Sequence, residues 1–190
     1  MFEIQSLFKV PLYKTALSLD NTAISKYSLS LSKKDKGRVL SNIGGWQSDN
    51  LEDVPELKEL INEIEKHTTL FTKQIGIRCS NKVSNRWINI NGYKDTNLLH
   101  SHPGCLISGV YYVQTPKDCG NIIFNHPILA LLQHSWEEQK IDNYTKFNSP
   151  EWWMPNQAGL LYLFPSWLDH MVKPNLNKKE KSISISCNCS

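Results

Sequence analysis

The chain has 190 residues and a mass of 21.8 kDa, which predicts one domain, and its 40% hydrophobic content is enough for a substantial core. The net charge is only +3, and the lysine-rich stretches 33–36 and 178–181 each contain an acidic residue, so no nucleic-acid-binding stripe is expected. No apolar run approaches the about 18 residues of a membrane span, and the N-terminus lacks a signal-peptide pattern, so we expect neither a membrane segment nor secretion.

The cysteine content favours a reducing compartment. Five cysteines is an odd number, and without a secretion signal it is typical of free thiols in a cytoplasmic protein. Cys187 and Cys189 form a Cys-x-Cys pair, but no second pair accompanies them, so we expect ordinary thiols there and not a metal site.

The first 54 residues give weak signals. Residues 7–13 are predicted as an edge strand, where Pro11 is tolerated. The apolar positions within 20–33 do not decide between helix and strand. Residues 36–54 are rich in Gly, Ser, Asn and Asp and are predicted as a loop, in which Trp46 is either a packing anchor or part of a lid.

Residues 53–76 are the clearest helix. Pro55 suits the first turn and Asp53 the N-cap. Apolar residues recur at helical spacing, at Leu57, Leu60, Ile61, Ile64, Leu70, Phe71 and Ile75. We expect this face to pack on the outside of a sheet, with His67 as a structural histidine at its border.

The remainder alternates between short apolar segments and turns, which is typical of a sandwich or barrel. A long polar and aromatic excursion at 126–157 contains Trp136, Trp152 and Trp153, and long loops of this kind often carry function. The predicted strands begin near Lys82 and include the segments around 88–90, 97–102, 106–114, 120–125, 160–164, 168–172 and 182–188.

Two histidines, His100 and His102, are separated by one residue. In a strand, side chains at i and i+2 leave the same face about 7 Å apart, so both imidazoles can approach one metal ion, whereas in a helix they diverge. The Gly-Val-Tyr-Tyr-Val segment at 109–113 favours strand. His170 lies in another predicted strand, so sheet pairing could supply a third ligand.

Several blocks resemble a bacterial and phage family of 2-oxoglutarate- and iron(II)-dependent oxygenases. The blocks are HSHPGCLISGVYYVQTP, GNIIFNHP, GLLYLFPSWLDHMVKPN and SISISCN, together with NIGGWQSDNLED and RWININGY, and they span about residues 8–188. The resemblance implies a mainly β fold, a double-stranded β-helix (jelly roll), within one domain at 1–190. In that domain, residues 1–80 support a metal-binding β core at 81–190.

The resemblance also implies a mononuclear iron(II) site formed by His100, His102 and His170. 2-Oxoglutarate and dioxygen would bind at the open positions of the metal, and decarboxylation of 2-oxoglutarate to succinate would accompany hydroxylation of a substrate. Three neutral imidazoles leave the site more positive than two histidines and a carboxylate, so zinc stays open as an alternative to iron. Asp169 alternates away from His170 and is not expected to be a ligand. His126 and His134 are expected to be loop histidines.

The family pattern places an arginine, which binds the far carboxylate of 2-oxoglutarate, shortly before the last block. In this chain the position is taken by Lys181 when counted from His170, or by Ser182 when counted from Asn188. Lysine and arginine are not equivalent at a bidentate site. The resemblance assigns Ser184 to the same carboxylate, and one of Tyr111 and Tyr112, whose side chains alternate, is expected to reach the co-substrate.

Two other functions stay open. One is a cupin-like enzyme with a three-histidine metal and no 2-oxoglutarate, which the missing arginine favours. The other is a non-catalytic jelly-roll binding module. The primary substrate is open among peptides, nucleotides, lipids and small metabolites, and the oligomeric state is open too. A cytoplasmic location is expected, in the host if the chain is phage-encoded.

Overall fold

The computed structural model describes residues 2–190, and eleven strands within them form two antiparallel sheets. One sheet has the strand order β1-β9-β6-β11-β4-β3, and the other has the order β2-β5-β10-β7-β8. This arrangement confirms the predicted jelly-roll core. The strands are β1 Tyr13–Ala16, β2 Asn42–Ile43, β3 Trp46–Gln47, β4 Val83–Asn91, β5 Thr96–His100, β6 Ile107–Gln114, β7 Ile122–Asn125, β8 Glu151–Met154, β9 Leu160–Pro165, β10 His170–Val172 and β11 Ser182–Cys189.

Helices cover the outer face of the six-stranded sheet. The helices are α1 Asn21–Lys34, α2 Pro55–Ile75 and the short α3 Leu129–Ser135. The first two pack on the sheet through a core that includes Ile24, Ile64 and Tyr111. We call this the helix-side core. A second core, with Val110, Tyr112 and Phe164 among its members, fills the space between the sheets. Because β6 is buried on both faces, its sequence is an almost continuous apolar run.

Helix α2 confirms the strongest prediction, with one error at its start. Pro55 occupies the first turn, and Gly76 ends the helix in the left-handed conformation at φ 74°. The N-cap is Val54 and not Asp53, which instead forms an ion pair with Arg86. His67 lies at the border of the helix face, where its Nδ1 is 2.7 Å from the Tyr13 hydroxyl.

The N-terminal segments differ in part from expectation. The edge strand begins at Tyr13, after the predicted 7–13, so Pro11 precedes it. Residues 21–34 are a helix capped by the Asp20 carboxylate, which accepts hydrogen bonds from the Thr22 and Ala23 amides. The predicted loop at 36–54 contains the short strands β2 and β3. Its Trp46 is a packing anchor, whose Nε1 donates to the Asp35 carbonyl oxygen.

The later strands follow the prediction within a few residues. Leu168 precedes β10 and is not part of it. The excursion at 126–157 contains α3, a 3₁₀ turn at Glu138–Lys140 and β8. All five cysteines are free thiols, and Cys187 and Cys189 are buried in the helix-side core. None of the helices between residues 2 and 190 combines the length and apolar character that a membrane span requires.

The helix-side core gives a stability prediction. Ile64 is fully buried beneath α2, so Ile64→Ala leaves a cavity and is expected to lower the free energy of unfolding by about 2–5 kcal/mol. Leu70 lies on the same helix but is 50% exposed, so Leu70→Ala is the matched control, with an expected change of about 0.5 kcal/mol. Denaturant unfolding measures both, and equal losses would contradict this packing.

Candidate functional site

Sheet pairing brings two of the three candidate histidines together. In the five-stranded sheet, His170 of β10 lies directly opposite His100 of β5 and directly opposite Phe124 of β7. Directly opposed residues of antiparallel strands project from the same face. His170 is buried with its ring against Phe164, at 4.8 Å between centroids, so the position of this imidazole is fixed by both sheets.

His102 comes from a different element. Strand β5 ends at His100, and His102 lies just beyond it, which differs from the expectation that both histidines are in one strand. Its backbone amide donates to the Ser166 carbonyl oxygen, at 2.8 Å, next to the end of β9. Its ring packs against Trp87, at 5.5 Å between centroids. The third imidazole is therefore positioned by the six-stranded sheet.

The three rings converge closely enough to share one ion. Their centroids are 4.4–5.2 Å apart, and one ring nitrogen from each lies within 4.8 Å of the others. Two ligands about 2.1 Å from the same ion are at most about 4.2 Å apart. The arrangement thus fits a metal after small ring rotations.

Hydrogen bonds fix which nitrogen of two rings is free. Nδ1 of His100 donates to the Leu98 carbonyl oxygen at 2.7 Å, and Nδ1 of His170 donates to the Leu168 carbonyl oxygen at 2.9 Å. A carbonyl oxygen only accepts, so the proton is on Nδ1 and the Nε2 lone pair is free in each neutral ring. Metal-binding histidines commonly have this second hydrogen bond.

Burial keeps two of the three imidazoles neutral before any ion binds. Desolvation and the neighbouring His100 lower the pKa of His102 from 6.5 to about 4. The same causes, desolvation first, lower the pKa of His170 to about 3. Neutral imidazole is the metal-binding form, so both side chains are ready to bind a cation at neutral pH.

A polar wall faces the histidines across the cavity. Strand β11 contributes Ser182 and Ser184, and its neighbours contribute Asn91 and Asn89 from β4 and Tyr112 from β6. Asn89, Ser184 and Tyr112 lie side by side in register, and Asn91 lies opposite Ser182. We call these five residues the polar wall.

Tyr112, and not Tyr111, reaches the cavity. The Tyr112 hydroxyl is buried, and no hydrogen-bond partner for it lies among residues 2–190. Burial, the nearby Tyr162 and Cys119 raise the pKa of the Tyr112 hydroxyl, so it stays a proton donor. Tyr111 points into the helix-side core, where its hydroxyl donates to the Asn21 Oδ1 atom.

The structure places Lys181 outside the cavity. This lysine is exposed and does not line the cavity, whereas Ser182 and Ser184 both do. Strand β11 begins at Ser182, and its alternation directs Ile183 and Ile185 into the helix-side core. No lysine or arginine of the described chain is among the residues that line the cavity.

The three tryptophans of the excursion do not line the cavity. Trp136 is half exposed and borders a separate shallow depression with Leu132 and Tyr144. Trp152 and Trp153 lie on the edge strand β8 and are 49% and 59% exposed. Trp152 is opposite Phe124, which is itself opposite His170, so Trp152 shares the face of the histidines while Trp153 does not.

The sequence reasoning missed Asn89 as a cavity residue. Asn91 and Asn97 lie in strands β4 and β5, and the Asn91 side chain donates to Asn97 Oδ1 at 3.0 Å. Asparagine is depleted in strands. Its recurrence at Asn89 and Asn91, alternating with Ile88 and Ile90, was the signal in the sequence that could have indicated a polar cavity face. Asp169 is exposed and outside the histidine cluster, as predicted.

A family comparison covers the part of the chain that contains this site. The family described as "Putative 2OG-Fe(II) oxygenase" matches residues 85–188, which is more than half of the chain. That range contains all three histidines and the whole polar wall. The comparison with curated proteins gave no match.

Solved structures share the fold at low sequence identity. A prolyl-4-hydroxylase from Pseudomonas putida has a TM-score of 0.65 and 11% identity, over 95% of this chain and 92% of that one. A prolyl hydroxylase from Trichoplax adhaerens, in complex with a hypoxia inducible factor peptide fragment, has a TM-score of 0.59 and 15% identity, over 94% of this chain and 82% of that one. The epimerase SnoN from nogalamycin biosynthesis, in complex with Fe3+ and alpha ketoglutarate, has a TM-score of 0.62 and 12% identity, over 95% of this chain and 78% of that one.

The cluster predicts one metal ion per chain. His100→Ala removes a ligand and is expected to weaken Fe(II) or Mn(II) binding by at least about 100-fold, since losing groups that only support a ligand costs about 10- to 100-fold. His134 is exposed and distant in sequence from the cluster, so His134→Ala is the matched control with unchanged binding. Anaerobic titration calorimetry with metal analysis measures both, and full binding by the His100 variant would contradict the site.

The lowered pKa values predict acid sensitivity of the metal-free protein. Between pH 6.5 and about 4 the unfolded chain binds protons at His102 and His170 that the folded chain does not. The free energy of unfolding should therefore be highest above pH 6.5 and fall as the pH is lowered towards 4. Denaturant unfolding across this range measures it. The double variant His102→Gln, His170→Gln should have a shallower dependence, and identical slopes would contradict the burial argument.

Proposed function

The chain belongs to the family of 2OG-Fe(II) oxygenases, and on that premise we propose that it binds Fe(II) through His100, His102 and His170 and oxidises a substrate at the expense of 2-oxoglutarate and dioxygen. The observation that carries the proposal is the convergence of three imidazoles in a cavity between two sheets. Three ligands on one side of an ion leave other positions free, which is the arrangement of non-haem iron oxygenases.

The bound metal and co-substrate supply the oxidising chemistry, in which 2-oxoglutarate becomes succinate and carbon dioxide. The protein positions them and excludes water. The hydrogen bonds from Nδ1 of His100 and His170 to the Leu98 and Leu168 carbonyl oxygens would leave both Nε2 lone pairs free to hold the ion. Phe124 and Phe164 cover the buried ring of His170 and keep that side of the site apolar.

The polar wall is our proposed binding surface for the far end of 2-oxoglutarate. Tyr112 supplies a buried hydroxyl with no partner among the described residues, and Ser184 lies next to it in register. Ser182 faces the same cavity from the start of the strand. Hydroxyl groups can donate hydrogen bonds to a carboxylate, so these side chains can hold that end of the ligand without a cation.

We place the primary substrate near the edge strand β8. The row His100, His170, Phe124 and Trp152 runs across four strands on one face, so the exposed Trp152 ring continues the apolar side of the site. Trp136 and Trp153 lie in the same excursion, and we propose that 126–157 forms the substrate-binding border. Two of the fold relatives are prolyl hydroxylases, which makes peptides a first class to screen.

A second candidate function is a three-histidine metalloenzyme that does not use 2-oxoglutarate. The absence of lysine and arginine from the cavity lining within 2–190 favours it, because 2-oxoglutarate is a dianion. Production of succinate separates the two.

We also propose that residues 81–190 carry the site while 1–80 support it, since β1, α1 and α2 cover or extend the six-stranded sheet. Ser41 lines the cavity as well, so the support reaches the site itself. A cytoplasmic location remains part of the proposal and rests on the odd number of free cysteines.

The proposal predicts turnover of 2-oxoglutarate. Purified protein with Fe(II), ascorbate and oxygen should form succinate slowly without a substrate and faster when a screened substrate is present. Tyr112→Phe removes one hydroxyl donor and should raise the KM for 2-oxoglutarate by about 2- to 5-fold, the equivalent of about 0.5–1 kcal/mol. Mass spectrometry of succinate measures both.

The matched control is Tyr111→Phe, which removes a hydroxyl on the opposite face of the same strand and should leave the KM unchanged. Protein that holds one Fe(II) per chain but forms no succinate with any substrate class would favour the second candidate.

A further inference from the structure

The cavity lacks the cationic side chain that would ordinarily pair with a dianionic co-substrate. 2-Oxoglutarate has a 2-oxo acid end, which chelates the metal in the proposed function, and a far carboxylate. The far carboxylate must enter a cavity whose lining, within residues 2–190, contains no lysine or arginine. Arg86 belongs to β4 but alternates to the opposite face from Asn89 and forms an ion pair with Asp53. Lys181 is exposed outside the cavity.

Asn89 of the polar wall can supply a neutral donor in place of a cation. Asn89 Nδ2 donates to the Ser186 hydroxyl at 3.0 Å, which leaves its buried Oδ1 without a partner among the described residues. The two ends of an amide are interchangeable by a half-turn. After such a turn, Ser186 donates to Oδ1 and the Asn89 amide is free to donate into the cavity.

Asn91 does not share this property. Its Nδ2 donates to Asn97 Oδ1 at 3.0 Å, and its buried Oδ1 has no partner within 2–190 but lies against Gly45, where a Cβ atom would be 2.3 Å away. A half-turn of the Asn91 amide would therefore place its donor against Gly45 and not in the cavity. Asn89 is the asparagine of the wall that can present an acceptor or a donor according to the ligand.

The charges of the metal, its three ligands and the co-substrate also sum to zero without a cationic side chain. Fe(II) brings two positive charges, the three neutral imidazoles bring none, and 2-oxoglutarate brings two negative charges. A site with a carboxylate among its ligands has one more negative charge, which a nearby cation can balance. In this chain the neutral third ligand, His102, removes that requirement.

We propose that the far end of the co-substrate is held by the neutral donors of the polar wall without an ion pair, so that the protein accepts 2-oxo acids whose far end is uncharged nearly as well as 2-oxoglutarate. This inference rests on the proposed function and concerns its co-substrate specificity. The specificity-determining position is Ser182, at the start of β11, where a longer cationic side chain would enter the cavity.

The test compares two acids on the Mn(II)-loaded protein, which binds but does not turn over. 2-Oxopentanoate has a methyl group where 2-oxoglutarate has its far carboxylate. Titration calorimetry should give a preference for 2-oxoglutarate of about tenfold or less, because neutral donors roughly replace the water that the carboxylate leaves. A preference above about tenfold overturns the inference.

Variants separate the possible sources of any preference. Ser182→Arg adds a cation and should raise the preference for 2-oxoglutarate at least about tenfold, mainly through tighter binding of 2-oxoglutarate. Ser182→Gln adds a long neutral side chain and should not raise it. Lys181→Ala should leave the affinities for 2-oxoglutarate and 2-oxopentanoate unchanged. If the preference for 2-oxoglutarate is lost in this variant, the lysine reaches the ligand and the inference is overturned.

Metal content, measured on every variant, shows that the fold and the histidine site are intact. If the metal-loaded protein binds neither acid, the proposed function fails and this inference fails with it. If 2-oxoglutarate binds with a large preference that depends on Lys181, only this inference fails and the proposed function stands.

Discussion

The register of β10 is the constraint on which the site depends. This strand has only three residues, and its pairing with β5 and β7 places His170 beside both His100 and Phe124. A shift of one residue would turn every side chain of the strand to the other face and exchange His170 for Met171. Pairing with β5 is irregular after His170, so the neighbouring pair is Val172 and Asn97. The buried ring between Phe124 and Phe164 fixes the register, because a one-residue shift would expose it and leave a void.

The six-stranded sheet separates stability from ligand binding by simple alternation. On β6, Tyr111 enters the helix-side core and Tyr112 enters the cavity. On β11, Ile183 and Ile185 enter the same helix-side core, while Ser182 and Ser184 face the cavity. Helices α1 and α2 therefore hold the polar wall in place from behind without contributing to it. A polar wall built on strands that are covered on the other face is also rigid, which suits the orientation of a ligand.

The parts that the sequence could predict are those where residue type and period agree. Helix α2 follows from its apolar spacing, and the histidine cluster follows from three imidazoles in β context. Alternation could not decide which of Tyr111 and Tyr112 faces the cavity, because β6 is buried on both faces and both positions are therefore apolar or aromatic. The choice between Lys181 and Ser182 depended on where β11 begins, which propensity does not fix within one residue. Asn89 was missed because the segment around 88–90 was predicted as a strand without deciding which of its faces lines a cavity, and only the assembled sheet places Asn89 beside Ser184.

A metal site made of three neutral imidazoles has an energetic consequence before the ion binds. A carboxylate in the place of His102 would have to stay charged in a partly dry pocket beside Trp87, or take up a proton. A neutral imidazole avoids that desolvation cost, and it can pack in a tilted orientation against the Trp87 ring, so the metal-free fold tolerates the cluster. The corresponding disadvantage is weaker attraction for the cation, because no ligand is anionic. The two effects oppose each other, and the bonds from Nδ1 of His100 and His170 to backbone carbonyl oxygens lessen the disadvantage, since they increase the basicity of Nε2 without adding charge.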